Sequence, residues 1–224
     1  MIEYALIRTQ RKTLALYVRN GQVEVRAPLQ ATPEDVARFV ASKEACITKK
    51  RAESIERLTR REQFSLNYGD CISYLGQPCP IVARAGIQAG YQNGIFYMPP
   101  GLMPEQIKAT CVLVYRLLAK RDIPKLVDEY AKRMSVTPAS VRISGARTRW
   151  GSCSAKRNLS LSWRLILTDA EAIRYVAVHE LAHLIEMNHS KRYWAIVEKV
   201  MPDYREQRAT LKALQQKLSM EGWD

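Results

Sequence analysis

Two histidines four residues apart, His179 and His183, with Glu180 between them, have the residue types and spacing that hold and use a catalytic metal. In the segment VHELAHLIEMNH the spacing puts both imidazoles on one face of a predicted helix, one turn apart. Glu180 lies about 100° further round, where its carboxylate reaches a water molecule instead of the metal. A catalytic zinc takes three protein ligands and keeps a fourth position open. His189 is the candidate third ligand. Asn188 before it tolerates the left-handed conformation that ends a helix, and Ser190 can cap a following helix, so the chain is expected to turn back here. The chain has 3 histidines, and all of them fall between positions 179 and 189. That clustering weighs against histidines that merely pack or solvate. The chemistry implied is metal-assisted hydrolysis, with one zinc ion per chain on His179, His183 and His189 and with Glu180 as general base.

Other candidates surround this segment. Arg147 and Arg149 are candidates to steady a developing oxyanion or to bind a phosphate, against plain surface charge. Tyr193 joins them as a candidate for contact with substrate or oxyanion. Glu186, one turn past His183, is either a partner of a ligand imidazole or a solvent-facing carboxylate. Cys153 is either a fourth, inhibitory ligand or a lone buried thiol. Trp150, Trp163 and Trp194 read most simply as core.

The elements that must position these residues are legible in outline. EYALIR, KTLALYV and QVEVRA alternate as strands, with Asn20-Gly21 as the hairpin signal between the last two. Thr32-Pro33 opens a helix predicted to run to about Arg61. Residues 66–98 revert to strand-like pieces broken by Gly and Pro, and Pro99-Pro100-Gly101 suggests a boundary. A long amphipathic helix is predicted from Pro104 to Met134, kinked or split at Pro124. Then come VRIS, the turn-rich TRWGSCSAKRN, and LSLSWRLIL with period-two alternation. Asp169 caps a metal-bearing helix predicted over 170–187, and further helices follow from Ser190 to Val200 and from Asp203 to Met220. The expected fold class is α+β. A β-rich N-terminal part, 1–101, with one long helix would precede a catalytic part, 102–224, the two being separate or one continuous domain.

Composition narrows the class. The 47% apolar and 25% charged residues are those of a globular protein, and 224 residues suffice for a core without disulfides. The N-terminal segment has no apolar run of the secretory kind, and no stretch has the length of a membrane span. The 5 cysteines are scattered and never form a CxxC pair, as in a reducing compartment. A cytoplasmic location, with no membrane partner, is the expectation. The net charge of +13 implies an acidic partner, nucleic acid and nucleotides included. From Lys132 to Arg164 eight basic residues occur with no acidic one among them, directly before the metal segment.

The segments TRWGSCSAKRNLSLSWRLIL, YVAVHELAHLIEMNHSKRYW and MPDY resemble the YgjP-like metallopeptidase family, which is related to the SprT-like proteins. The resemblance extends more weakly to TQRKTLALYVR, VEVRAP and ISYLGQPCPI. The chain departs from the family pattern at Cys46, where tryptophan is usual, and at Tyr193, where phenylalanine is. The resemblance implies a zincin-like C-terminal half with His179, His183 and His189 as ligands, Glu180 as catalytic, and LSLSWRL beside the cleft. The His183-to-His189 spacing equals that of metzincins, yet Glu186 stands in place of their glycine and no Met-turn follows. One member is described as a pyrophosphatase acting on the nucleoside triphosphate UTP. Three functions therefore stand open: a zinc peptidase, a nucleotide pyrophosphohydrolase, and a nucleic-acid-binding protein whose metal is structural or serves a tethered protease. Oligomeric state is not readable.

Overall fold

The computed structural model describes residues 2–86 and 88–223. The described residues form a mixed α+β structure of six α-helices and three small sheets. The chain divides into two compact units, residues 1–64 with Ser219–Gly222, and residues 65–218 with the last two residues. The Pro99-Pro100-Gly101 turn lies inside the second unit, between a strand and a helix. Among the described residues no helix is long and apolar enough to cross a membrane.

In the first unit the strands are β1 (Ala5–Thr9), β2 (Ala15–Arg19) and β3 (Gln22–Pro28). Asn20 and Gly21 both have positive φ, 51° and 74°, the backbone a two-residue hairpin needs, and β2 accordingly pairs antiparallel with β3. β1 pairs with the other edge of β3 in parallel. Val23, Val25 and Ala27 alternate inward from β3 and meet Val36, Val40 and Ile47 in a closed core. The helix expected from 33 to 61 is two helices, α1 (Pro33–Ser42) and α2 (Glu44–Gln63). Lys43 between them leaves the helical region, at φ −114° and ψ 10°. No Gly or Pro announces this break. It serves two attachments: α1 lays Val36 and Val40 into the core, while α2 grips the hairpin. There the Gly21 N–H donates to Ser54 Oγ at 3.1 Å and Arg51 Nε donates to the Gly21 carbonyl at 2.9 Å.

The second unit opens with a four-stranded sheet of β4 (Cys71–Tyr74), β5 (Gln77–Ala83), β6 (Gly90–Gln92) and β7 (Ile95–Met98), ordered β4-β5-β7-β6. Helix α3 (Pro104–Arg133) runs unbroken through Pro124, contrary to a split there. Its residues Ile107, Cys111, Val114, Tyr115, Leu118, Ile123 and Val127 recur at helical spacing and are all buried. Each such aliphatic side chain contributes roughly 1.5–3 kcal/mol by leaving water. That stripe faces helix α4 (Ala170–Ala182).

The third sheet supports the site. Its strands are β8 (Ser140–Ser144), β9 (Gly151–Cys153) and β10 (Asn158–Ser162), ordered β8-β10-β9. β10 is parallel to β8 and antiparallel to β9, so β9 is an edge. The alternation of LSLSWRLIL spans two kinds of structure. Leu159 and Leu161 are in β10, but Trp163–Leu167 form a 3-10 helix that Ser162 caps. All nine of these residues are buried, and that burial lets the same apolar set serve a strand and a tight helix alike. Helices α5 (Lys191–Val200) and α6 (Tyr204–Glu221) complete the chain.

Candidate metal centre

Helix α4 starts where Asp169 accepts from the Ala172 N–H at 2.7 Å, a side-chain cap reinforced by Glu171 in the first turn. Ile173, Tyr175, Val176, Ala177, Val178, Leu181 and Ala182 are all buried. A helix enclosed on nearly every side is rigid. His179 and Glu180 ride on its last turn.

The helix ends at Ala182, earlier than the expected 187, and His183 is its C-cap at φ −66° and ψ −17°. The chain then winds through a tight turn in which Leu184 N–H donates to the Leu181 carbonyl and Glu186 N–H to that of Ala182. Asn188 is not among the described non-glycine residues with positive φ. The return comes instead from this turn and from Asn188's carbonyl, which accepts the Ser190 N–H at 2.7 Å. Ser190 caps α5 through the Tyr193 N–H, as its position predicts.

This path brings His189 onto the two helical histidines. Their nearest ring nitrogens all lie within 4.8 Å of one another, and among the described residues this is the group of His, Cys, Asp or Glu able to hold a metal. The Nε2 atoms of His179 and His189 are 3.2 Å apart. Zinc–nitrogen bonds of about 2.0–2.1 Å in tetrahedral array separate ligand nitrogens by about 3.3 Å. The three imidazoles are a donor set that suits zinc, and the His179–His189 separation matches that spacing. His183 Nδ1 is 3.3 Å from the Glu186 carbonyl, a contact that fixes the ring and leaves Nε2 free. It is the backbone of Glu186, not its carboxylate, that meets the imidazole. Tyr175 OH lies 3.5 Å from His179 Nδ1.

Tyr193 is fully buried. Its hydroxyl donates to the His179 carbonyl at 2.8 Å, and its ring stacks on His183 with centroids 4.6 Å apart. Trp194 is half-buried, not core, and stacks on both His189 and Tyr204. Trp163 is core, stacked with Tyr115. Cys153 is half-buried, stands outside the histidine group, and points its thiol at the Ser154 carbonyl. Arg147 and Arg149 are exposed.

Glu180 is 4% exposed. Burial pushes its carboxyl up to about 7, opposed by the positive charge of Arg149. Burial, then the neighbouring His183 and His189, pushes His179 down to about 4, and burial also lowers His183. Neutral imidazoles are the form that binds metal. In metal-free protein these groups act on stability in opposite directions. His179 contributes stability that is present above about 6.5 and lost as pH falls through 4. Glu180, with its folded value raised, contributes stability that is present below about 4.5 and lost as pH rises through 7. The expected result, read by thermal unfolding in chelator, is a melting-temperature advantage of Glu180→Gln over the parent that grows from pH 5 to pH 8. A constant difference would show that Glu180 is not held in this buried state.

Gly151 carries no functional mark in the sequence beyond its place in the turn-rich TRWGSCSAKRN. A Cβ at this position of β9 would lie 2.7 Å from Glu180 Cγ and 2.8 Å from Cδ. Only glycine lets the strand lie against the glutamate. The available signal was a glycine inside a strand, a mark of close approach.

A comparison with curated proteins finds no match. Among solved structures, the chain is similar to the metallopeptidase zymogen abylysin of Pyrococcus abyssi. That likeness has 26% identity and TM-score 0.38, and covers 43% of this chain and 94% of that one. It is also similar to the metallopeptidase zymogen jannalysin of Methanocaldococcus jannaschii, at 22% identity, TM-score 0.37, and 43% and 97% coverage. The model of the YgjP-like metallopeptidase domain matches residues 12–214, nearly the whole chain, and the protein belongs to that family.

Proposed function

We propose that this protein is a zinc-dependent peptidase with a zincin-like catalytic half, in which His179, His183 and His189 hold one zinc ion and Glu180 is the general base. The observation that carries this reading is the convergence of three imidazoles at metal-ligand spacing beside a buried glutamate. Zinc, when bound there, supplies a Lewis acid that polarises a peptide carbonyl and acidifies water. Glu180 takes the proton of the attacking water and passes it to the departing amine nitrogen. A carboxyl held near 7 by burial can both accept and return a proton at neutral pH. Tyr193 acts as a positioning residue, because its hydroxyl is committed to the His179 carbonyl. Arg149 is the better placed of the two arginines for contact with substrate, since its charge reaches the Glu180 carboxylate.

The open edge of β9 favours an extended polypeptide as substrate. Trp150 O, Ser154 N and the Ser152–Ser160 pair engage β10. By the alternation of an antiparallel ladder, the N–H and C=O groups of Gly151 and Cys153 then face outward. A substrate strand can pair with them and lie along Glu180. The test is to assay protein stripped of metal, then reloaded with one equivalent of zinc, on unfolded casein and on UTP in parallel. Casein cleavage that appears only with zinc supports the reading. Zinc-dependent pyrophosphate release from UTP without casein cleavage would replace it by a nucleotide hydrolase.

A further inference from the structure

A groove of about 610 Å³ runs over the third sheet beside β9. Pairing registers put Ser140 and Arg142 of β8, Asn158 and Ser160 of β10 and Ser152 of β9 on one face. Every one of these residues lines the groove, as does Arg149. None of the lining residues is acidic. Ser140 and Asn158 are tied to each other, Ser140 Oγ donating to Asn158 Oδ1 at 2.8 Å. Arg142 and Arg149 differ: among the described residues neither has a carboxylate within ion-pair distance, whereas Arg26, Arg60, Arg121, Arg174 and Arg205 do. Two guanidiniums outside any ion pair, facing a polar floor whose Ser160 is 7% exposed, form a site for an anionic oxygen pair.

Position tells which anion. The groove borders the edge strand that touches Glu180, and Arg149 belongs to both places. A polypeptide paired with Gly151 and Cys153 points alternate side chains to opposite faces of the sheet. The residue opposite Ser152 projects over the groove face. We propose that this groove is a specificity subsite that takes the carboxylate of an aspartate or glutamate in the substrate, close to the scissile bond, through Arg142 and Arg149. The inference rests on the peptidase reading. A nucleotide offers the same arginines a phosphate, but it has no use for an unpaired strand edge.

The experiment has two arms. In the first, zinc-loaded protein digests unfolded casein and mass spectrometry maps the cleaved bonds. Two synthetic peptides built on the best site, one with Asp and one with Asn at the enriched position, are then compared. The expected preference is on the order of tenfold in kcat/KM for Asp, from a charged hydrogen-bonded pair, and it collapses toward one in Arg142→Gln. Cleavage without acidic enrichment, or a preference unmoved by Arg142→Gln, overturns the inference and leaves the peptidase reading standing. In the second arm, fluorescence anisotropy measures binding to zinc-loaded Glu180→Gln of two labelled synthetic peptides of otherwise uncharged residues, identical except for one central Asp or Asn, so that the inference is decided even if no bond is cut. There, tighter binding of the Asp peptide that is lost in Glu180→Gln/Arg142→Gln supports it. Equal binding of the two peptides, or displacement of the Asp peptide by UTP at far lower concentration than by unlabelled peptide, overturns it.

Discussion

Glu180→Gln is expected to lower kcat on a polypeptide substrate by about a thousandfold, within the range for loss of a general acid–base group, while zinc content stays at that of the parent. The two effects separate because the proposed ligand set, three histidines, does not include the glutamate. Glutamine fills the same buried space without a charge, so the 4% exposed position loses no packing. A neutral amide there cannot take the proton of water. The check is kcat together with metal content by elemental analysis. Loss of zinc along with activity would mean that Glu180 serves the metal and not the water, and near-parental turnover would remove it from the chemistry.

Gly151→Ala should lower kcat by about a hundredfold with the fold intact, the effect expected when a reacting group is misplaced by about 1 Å. The added methyl would stand 2.7 Å from Glu180 Cγ, too close for either atom. Glu180 is enclosed, and its Cγ is not a free end that swings aside without moving the carboxylate. Gly151 is not among the residues with positive φ, so alanine meets no backbone strain. The strain is confined to the contact, about 1–3 kcal/mol of overpacking. Circular dichroism and thermal unfolding should report a folded, slightly destabilised protein, and zinc binding should persist. Unchanged turnover would show that the strand yields in place of the glutamate.

These two residues differ in how they could be found. The candidacy of Glu180 rests on local pattern alone. His179, Glu180 and His183 share one helix, and helical periodicity alone orients them. His189 was legible through composition and spacing, though not the path that delivers it. The left-handed turn expected at Asn188 is replaced by a short winding after Ala182 that depends on the carbonyls of Leu181 and Ala182. Gly151 was not legible as a functional residue. Its role exists only because β9, some thirty residues earlier in the chain, is laid against α4.

The same division holds for the fold. Asp169, Ser190, Thr32 and the Asn20-Gly21 turn act within a few residues of themselves, so capping and turn chemistry placed them without knowledge of the rest. The break at Lys43 and the unbroken passage of α3 through Pro124 run against local propensity. Both are decided by what the flanking turns bury, and burial outweighs the preference of a single residue. The alternation in LSLSWRLIL told that these side chains are inside, but a wholly buried segment looks the same as strand or tight helix. By itself the sequence determined the clustering of His179, His183 and His189 around Glu180, the local caps and the broad α+β class. Only tertiary structure decided that an edge strand runs beside the glutamate, that Tyr193 is tied to His179, and that Arg142 and Arg149 share a groove free of acid. The reason is physical: ligand spacing on one helix is a short-range property, whereas a cleft is made by segments that meet only when the core closes.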